Sequence, residues 1–292
     1  YVLWGSPVTN QNLLDFSPQT VTNRFYAYNS TTNLFNSINP SINNFEAGRG
    51  FLIRMPNNHP TTPTSWIGEF NGIPNNGDFT ITVPTYSYVA ISNPYPSTID
   101  CFPLMIENEL YYEPIYFWRK ENNSLSSSYS TYVPYLGGIT NAGDPNQIVP
   151  SRYINQGQGF IVKTDWKNTI QFRNGIRLTN NNAPFLRSSN NEFENIETHK
   201  VYLNMTNEAG FSSNIMIGYL NGATTGIDPF VEGRYINDSP NALTSLINGE
   251  EFTIQGRGLP FDSFDEVPLG FKTQFAGEYT LSINGLTGLF KF

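Results

Sequence analysis

A short phrase occurs twice in this 292-residue chain. Residues Glu46–Arg54 read EAGRGFLIR, and residues Asn155–Lys163 read NQGQGFIVK. Each phrase joins a Gly-x-Gly turn to an apolar run that ends on a cation. Similarity between two distant segments of one chain is typical of a repeated structural unit. The phrase therefore predicts that the chain contains a duplicated β-rich unit.

Two further segments recur in the same order. Trp4–Pro7 (WGSP) matches Ile91–Pro94 (ISNP), and Phe25–Tyr28 (FYAY) matches Ile115–Trp118 (IYFW). The spacing between matching segments grows along the chain, as it would if insertions had gathered in the loops of the second copy. The duplication therefore covers more than one turn.

These matches divide the chain into three predicted parts. We expect copy 1 over residues 1–84, copy 2 over residues 85–197, and a C-terminal β-sandwich over residues 198–292. A polar, Asn-rich stretch over residues 180–198 marks the last boundary. We expect the third part to be incomplete, because the sequence stops where another strand is due.

The composition favours an all-β fold. Aromatic residues make up 15% of the chain and charged residues 14%, and 24 Gly and 20 Pro separate short apolar runs. Those runs are rich in β-branched and aromatic residues, which suit strands. The predicted fold class is therefore all-β, with tandem duplicated β-rich units followed by a β-sandwich.

Charge and hydropathy exclude several classes of protein. A formal charge of −8 without a basic stripe argues against a nucleic-acid partner, since binding phosphates requires clustered Lys and Arg. The sequence contains no run of 18 or more apolar residues, so no transmembrane helix is predicted.

The lone cysteine, Cys101, cannot form an internal disulfide, and its apolar neighbours predict a buried side chain.

Three local predictions concern secondary structure. Trp66–Phe70 and Asp78–Val83 read as the two strands of a hairpin around a turn rich in Gly and Asn. Asn241–Ile247 is the segment that could form a helical turn or two. The Gly-x-Gly pairs are interpreted as tight turns at strand starts, because no helix follows them as a dinucleotide fold would require.

Catalytic motifs are absent from the sequence. It contains no His-Glu-x-x-His, Gly-x-Ser-x-Gly, phosphate-binding loop or Cys-x-x-Cys, and only two histidines. We therefore predict no enzyme, no catalytic residues, no cofactor and no metal ligands. Carboxylates at Asp228, Asp238 and within Phe261–Glu266 leave Ca²⁺ binding open, although no twelve-residue calcium loop is present.

Aromatic side chains offer a second kind of site, because exposed rings stack on sugars. Trp4, Trp118 and Trp166 lie in or beside predicted strands or repeat positions and are expected in the core. The sequence-based candidates for glycan binding at the surface are Trp66, Tyr129, Tyr132 and Tyr135.

The third part resembles the C-terminal region of Bacteroidota cell-surface proteins that are exported by the type IX secretion system. Leu3–Thr9 and Ala90–Pro96 resemble the segment that precedes that region. The resemblance rests on Val201–Asn207, Ile215–Asp228, Phe252–Arg257, Leu259–Asp262 and Val267–Phe271.

The resemblance implies export across the outer membrane and an extracellular location at the cell surface. It implies as partners the outer-membrane translocon and its shuttle proteins. Such segments sit near the end of long adhesin-like chains, some linked to gliding motility, just before a sorting domain. The family brings no catalytic residues.

Three functions therefore compete. The first is a non-enzymatic stalk or anchor segment of an exported, adhesin-like surface protein. The second is a carbohydrate-binding module, which needs Trp66 or Tyr132 to face solvent. The third is an accessory part of a polysaccharide-active enzyme, which needs a cleft with two facing carboxylates.

Overall fold

The computed structural model describes residues 1–60, 62, 64–119, 125–140, 149–178 and 196–291. It confirms the predicted all-β class, because strands dominate the described residues and the two α-helices are short. The chain forms two compact units. Unit 1 comprises Tyr1–Leu110 and Tyr153–Phe185, and unit 2 comprises Tyr111–Arg152 and Leu186–Phe292. The boundaries predicted after residues 84 and 197 do not delimit these units, because copy 2 contributes to both.

Strands and helices follow one another in a repeated order. Copy 1 contains β1 (Val2–Trp4), α1 (Leu13–Phe16), β2 (Phe25–Asn29), β3 (Leu34–Ser37), β4 (Phe51–Ile53) and β5 (Phe79–Thr82). Copy 2 contains β6 (Tyr88–Ser92), β7 (Ile99–Asp100), α2 (Cys101–Glu107), β8 (Ile115–Trp118), β9 (Tyr129–Val133), β10 (Gly137–Ile139), β11 (Tyr153–Ile154), β12 (Gly159–Lys163) and β13 (Thr169–Phe172).

The rest of the described chain contains only strands and one 3₁₀ turn. These are β14 (Thr198–Thr206), β15 (Ser212–Leu220), β16 (Gly233–Arg234), β17 (Ala242–Ile247), β18 (Glu250–Gly258), β19 (Leu269–Lys272), β20 (Thr280–Leu286) and the 3₁₀ turn Gly288–Phe290.

Strand pairing repeats along with the sequence. In unit 1, β1 pairs antiparallel with β4 and β6 pairs antiparallel with β12. Trp4 lies opposite Phe51 in the first pair, and their sequence matches Ile91 and Phe160 lie opposite each other in the second. The β2–β3 hairpin has its counterpart in the β8–β9 hairpin. The two copies therefore share strand order and register as well as sequence.

The two Gly-x-Gly turns join copy 1 to copy 2 within unit 1. Gly48 and Gly157 both have positive φ, at 79° and 64°, where glycine is least strained. The Gly157 carbonyl accepts the N–H of Gly5 at 2.8 Å, and the Gly48 carbonyl accepts the N–H of Ser92 at 3.0 Å. We call residues 48–50 and 157–159 the glycine clasps, because each one holds the end of the other copy's first strand.

The second glycine of each clasp allows a close approach of two backbones. A Cβ on Gly50 would lie 2.9 Å from the Ile91 carbonyl oxygen, and a Cβ on Gly159 would lie 2.6 Å from Leu3 Cγ and 2.9 Å from the Leu3 carbonyl oxygen. These distances are shorter than carbon atoms tolerate without a shift of the chain. The spacing of the motif therefore follows from the packing of one copy against the other.

A pseudo-twofold axis relates the copies inside unit 1. Strands β5 and β13 hold corresponding places in copy 1 and copy 2, and they pair antiparallel with each other. Phe79 lies opposite Phe172, and Ile81 lies opposite Ile170. The pair thus behaves like strands from two subunits that meet at a dyad.

An aromatic cluster fills the copy 1 side of unit 1. Phe16 stacks on Phe70 with ring centroids 4.6 Å apart, and the Trp66 ring lies perpendicular to Phe16 at 5.5 Å. The predicted hairpin is therefore wrong. Trp66–Phe70 is not a strand, since two of its rings pack into this cluster, and β5 finds its partner in β13 instead.

Helix α2 was missed by the sequence analysis. The Asp100 side chain accepts the N–H of Phe102 at 3.0 Å and caps the helix, and Pro103 falls in its first turn, where it costs no hydrogen bond. Helix α1 begins in the same way, with Asn12 accepting the N–H groups of Leu14 and Asp15. Cys101 lies fully buried in α2, which confirms its predicted burial.

Asn93 connects two separate backbone segments of unit 1, residues 93–97 and 154–155. It is fully buried, and its Nδ2 atom donates to the carbonyl oxygens of Ser97, Ile154 and Asn155. Its Oδ1 atom accepts the N–H of Tyr95 at 2.9 Å. One side chain thus satisfies four buried or partly buried backbone groups, and a buried group left without a partner would carry a desolvation penalty.

Unit 2 is built around a sheet with the strand order β19-β17-β18-β15-β14-β20, with β16 on β18. Neighbouring strands are antiparallel except β15 and β18, which are parallel. The predicted helical turn at Asn241–Ile247 is wrong. Residues Ala242–Ile247 form β17, which is paired on both sides, so the sheet overrides any local preference for a helix.

Both faces of this sheet carry apolar clusters within unit 2. One face presents Met216, Leu220 and Ile254, which pack with Val133 and Leu136 from the β9–β10 segment. The opposite face presents Met205, Phe211, Ile215, Ile217 and Leu243. Adjacent residues of β14 and β15 therefore point to different cores, as the two-residue period of a strand requires.

Candidate functional site

The carboxylate of Asp265 is held by a cation. Arg257 Nε donates to Asp265 Oδ2 at 2.9 Å, a second guanidinium nitrogen pairs with Oδ1, and the Tyr219 hydroxyl donates to Oδ2 at 3.0 Å. The hydrogen bond from Arg257 keeps the pKa of Asp265 below its usual value. This geometry is a bidentate structural ion pair, and it leaves the carboxylate little capacity for Ca²⁺.

The other candidate calcium ligands serve loop structure. Asp228 accepts the N–H of Thr224 at 2.6 Å, and Asp238 accepts the N–H of Ser128 at 2.6 Å. Asp262 accepts the N–H of Phe264 at 2.9 Å. No group of three or more His, Cys, Asp or Glu that could hold a metal ion occurs within the described ranges.

Two glutamates flank one arginine in unit 2. Arg234 Nε lies 3.7 Å from Glu113 Oε1, and its Nη1 atom pairs with Glu250. The guanidinium carbon sits 5.2 Å from the centroid of the Phe252 ring. A polysaccharide-active enzyme needs two carboxylates that face a substrate. Here both carboxylates face the same cation, an arrangement that balances the charge of a mostly buried arginine.

Glu232 is a buried acid in unit 2. It is 2% exposed, and it accepts the N–H of Asp228 at 2.5 Å and the N–H of Gly256 at 3.1 Å. Burial raises its pKa to about 7, although both hydrogen bonds act in the opposite direction. The side chain therefore changes its charge near neutral pH.

The structure places two of the four candidate glycan-binding aromatics in the core. Tyr129 is 8% exposed and Tyr132 is 5% exposed, so neither can offer a ring face to a sugar. Both belong to β9, whose residues are all buried. Trp66 and Tyr135 are half-buried, Trp66 in the aromatic cluster of unit 1 and Tyr135 against the apolar cluster that contains Val133.

The predicted burial of Trp166 is wrong. It was expected in the core, yet 57% of its surface is exposed, and Lys167 Nζ lies 5.7 Å from its ring centroid. Trp4 and Trp118 are half-buried. Burial of a tryptophan depends on how distant segments pack, which the local sequence does not reveal.

A cleft of about 440 Å³ opens on unit 2. Its volume falls within the roughly 300–1,000 Å³ typical of small-molecule sites. Its wall combines amides and hydroxyls with the apolar side chains of Ile139, Val149 and Leu286, and no charged side chain lines it within the described chain. The lining also includes Tyr202, Asn204, Ser212, Asn214, Asn284 and Gly285.

The cleft lies over β14, β15 and β20, on the face that also carries Met216. Tyr202 and Asn204 are two residues apart on β14, and Asn214 lies directly opposite Asn204 on β15. Asn284 sits where the pairing register of β20 against β14 shifts. Such a β-bulge redirects a side chain, and bulges concentrate near binding sites.

Hydrogen bonds orient the amides on the cleft floor. Asn204 Nδ2 donates to Asn214 Oδ1 at 2.6 Å and to Ser212 Oγ at 3.0 Å. No local pattern in the sequence marks this site, because Asn is frequent everywhere in the chain and these residues come from three separate strands.

The fold and these sites define an all-β protein built from an internal duplication and a second β unit. No helix in the described part of the chain is long and apolar enough to cross a membrane. The chain belongs to the DUF8693 family, a domain of unknown function, whose family model matches residues 1–292. No curated protein and no solved structure matches the chain.

Proposed function

We propose that this chain is a non-enzymatic stalk or anchor segment of an exported, adhesin-like surface protein. A stalk must keep one shape while it holds another part of the protein away from the cell. The observation that carries the proposal is the pair of glycine clasps, which fasten each copy of the duplication to the first strand of the other copy. Under tension, neither copy can move away without breaking contacts of both.

The chemistry of the core suits a protein that folds outside the cell. Unit 1 is held by backbone pairing, an aromatic cluster and buried asparagines such as Asn93, and its cysteine, Cys101, is buried. Such a unit depends on no disulfide of its own and can fold in either redox environment. Such a core is compatible with display after export.

The route of export is proposed from the sequence resemblance alone. The motifs in the third part and the WGSP and ISNP segments resemble cargo of the type IX secretion system. On this proposal the chain is handled by the outer-membrane translocon and its shuttle proteins and functions at the cell surface.

Protease treatment of intact cells tests the proposal. In cells that produce the protein naturally, added protease should degrade this segment, while a periplasmic control protein stays intact. In a mutant that lacks the type IX translocon, the segment should be protected and retained inside the cell. Protection in the parent strain, or equal degradation in the two strains, would contradict the proposal.

A further inference from the structure

We propose that the cleft over β14, β15 and β20 is a binding site for a neutral saccharide. The inference does not depend on the stalk function, because it rests only on the lining of a cleft within unit 2. None of the four aromatic residues that the sequence suggested is among the residues that line the cleft.

The first argument is the charge of the lining. Its polar groups are the amides of Asn204, Asn214 and Asn284 and the hydroxyls of Ser212 and Tyr202, none of them ionised at neutral pH. Burial raises the pKa of Tyr202, so its phenol also stays neutral. An anionic or cationic ligand would find no counter-charge among the described lining residues. A neutral polyhydroxylated ligand needs none.

The second argument is hydrogen-bonding capacity. Each amide offers a donor and an acceptor, as each sugar hydroxyl does. Because Asn204 Nδ2 is engaged with Asn214 and Ser212, the orientation of the Asn204 amide is fixed before a ligand arrives. Within the described chain, Asn204 Oδ1, Asn214 Nδ2 and the whole Asn284 amide make no hydrogen bond. These are the groups that a ligand can engage.

The third argument is shape. A Cβ on Gly285 would lie 3.3 Å from the ring of Tyr202, so the glycine leaves room beside the aromatic wall. The bulge at Asn284 interrupts the pairing of β14 with β20 next to this ring. The cleft thus combines an aromatic surface with amides at its floor and rim, which is how proteins bind the apolar and polar faces of a sugar ring.

Calorimetry on the full chain tests the proposal with a panel of hexasaccharides. The neutral probes are xylohexaose, cellohexaose, maltohexaose and laminarihexaose, and the anionic probes are hexagalacturonate and a chondroitin hexasaccharide. We expect at least one neutral probe to bind. We expect Asn284→Ala and Asn214→Ala each to weaken that binding about threefold to tenfold, the loss expected for one hydrogen bond.

Asn221→Ala is the matched control, because Asn221 is an exposed asparagine of unit 2 outside the cleft, and it should leave affinity within about twofold. Trp66→Ala should do the same. The proposal is overturned if no neutral probe binds at millimolar concentration, if only anionic probes bind, or if neither cleft variant weakens binding. None of these outcomes would alter the surface exposure that tests the stalk function.

Discussion

Replacing Gly5 with serine should destabilise unit 1 by about 3 kcal/mol, the upper range for overpacking a core. Gly5 and Ser92 are matching positions of the two copies, and they face each other across the pseudo-twofold axis. A Cβ on Gly5 would lie 1.8 Å from Ser92 Oγ and 2.1 Å from Ser92 Cβ. Ser92 is fixed by bonds to Arg49 and Gly48, so the copies would have to separate.

The double variant Gly5→Ser, Ser92→Gly should recover most of this loss. The axis has room for one side chain, and the double variant moves that side chain from copy 2 to copy 1. The two substitutions should therefore couple strongly in a double-mutant cycle measured by urea unfolding. Gly175→Ala is the control, because nothing lies within 4 Å of an added Cβ there, and it should change stability by less than about 0.5 kcal/mol. If the two substitutions simply add, the symmetric arrangement is contradicted.

The stability of unit 2 should fall by about 3 kcal/mol between pH 4.5 and pH 7 because of Glu232. Its folded pKa is about 7 and its usual value is 4.5. Between these values the folded chain keeps the proton and the unfolded chain releases it, so rising pH favours unfolding. Well above pH 7 both states are ionised, and this group adds no further change.

The variant Glu232→Gln isolates this effect, because glutamine is neutral throughout. The unfolding free energy of the variant minus that of the wild type should rise by about 3 kcal/mol between pH 4.5 and pH 8. Any cost of burying the amide is the same at every pH and does not change this rise. Glu208→Gln at an exposed site is the control, because it measures the effect of removing one negative charge without burial. Asp265 does not interfere, because the stability that its lowered pKa contributes is lost only as the pH falls below about 3.8. A difference that does not vary with pH would contradict a buried, protonated Glu232.

The sequence predicted what local signals encode. The Gly-x-Gly phrase located both clasps because positive φ and close backbone approach leave few alternatives to glycine at Gly48 and Gly157. Alternation of β-branched and aromatic residues was enough for the all-β class. Helix α2 was not predicted, because a seven-residue helix spans about two turns and shows too little helical periodicity in the sequence.

What the sequence could not predict depends on contacts between distant segments. Strand β5 pairs with β13 across the axis rather than with its neighbour Trp66–Phe70. For the same reason Trp66, expected at the surface, is half-buried, and Trp166, expected in the core, is exposed. The cleft combines asparagines from β14, β15 and β20, and no local pattern separates them from the many other asparagines of the chain.

A stalk requires that the two copies stay fastened, and amide hydrogen exchange at Gly5 and Ser92 measures this most directly. Their N–H groups donate to Gly157 and Gly48, the carbonyls of the two clasps. Both amides should exchange only through global unfolding of unit 1, with equal free energies and equal dependence on urea. Rapid exchange at either amide, or exchange at one through a local opening, would show that the copies separate in the native state and would contradict the proposed stalk.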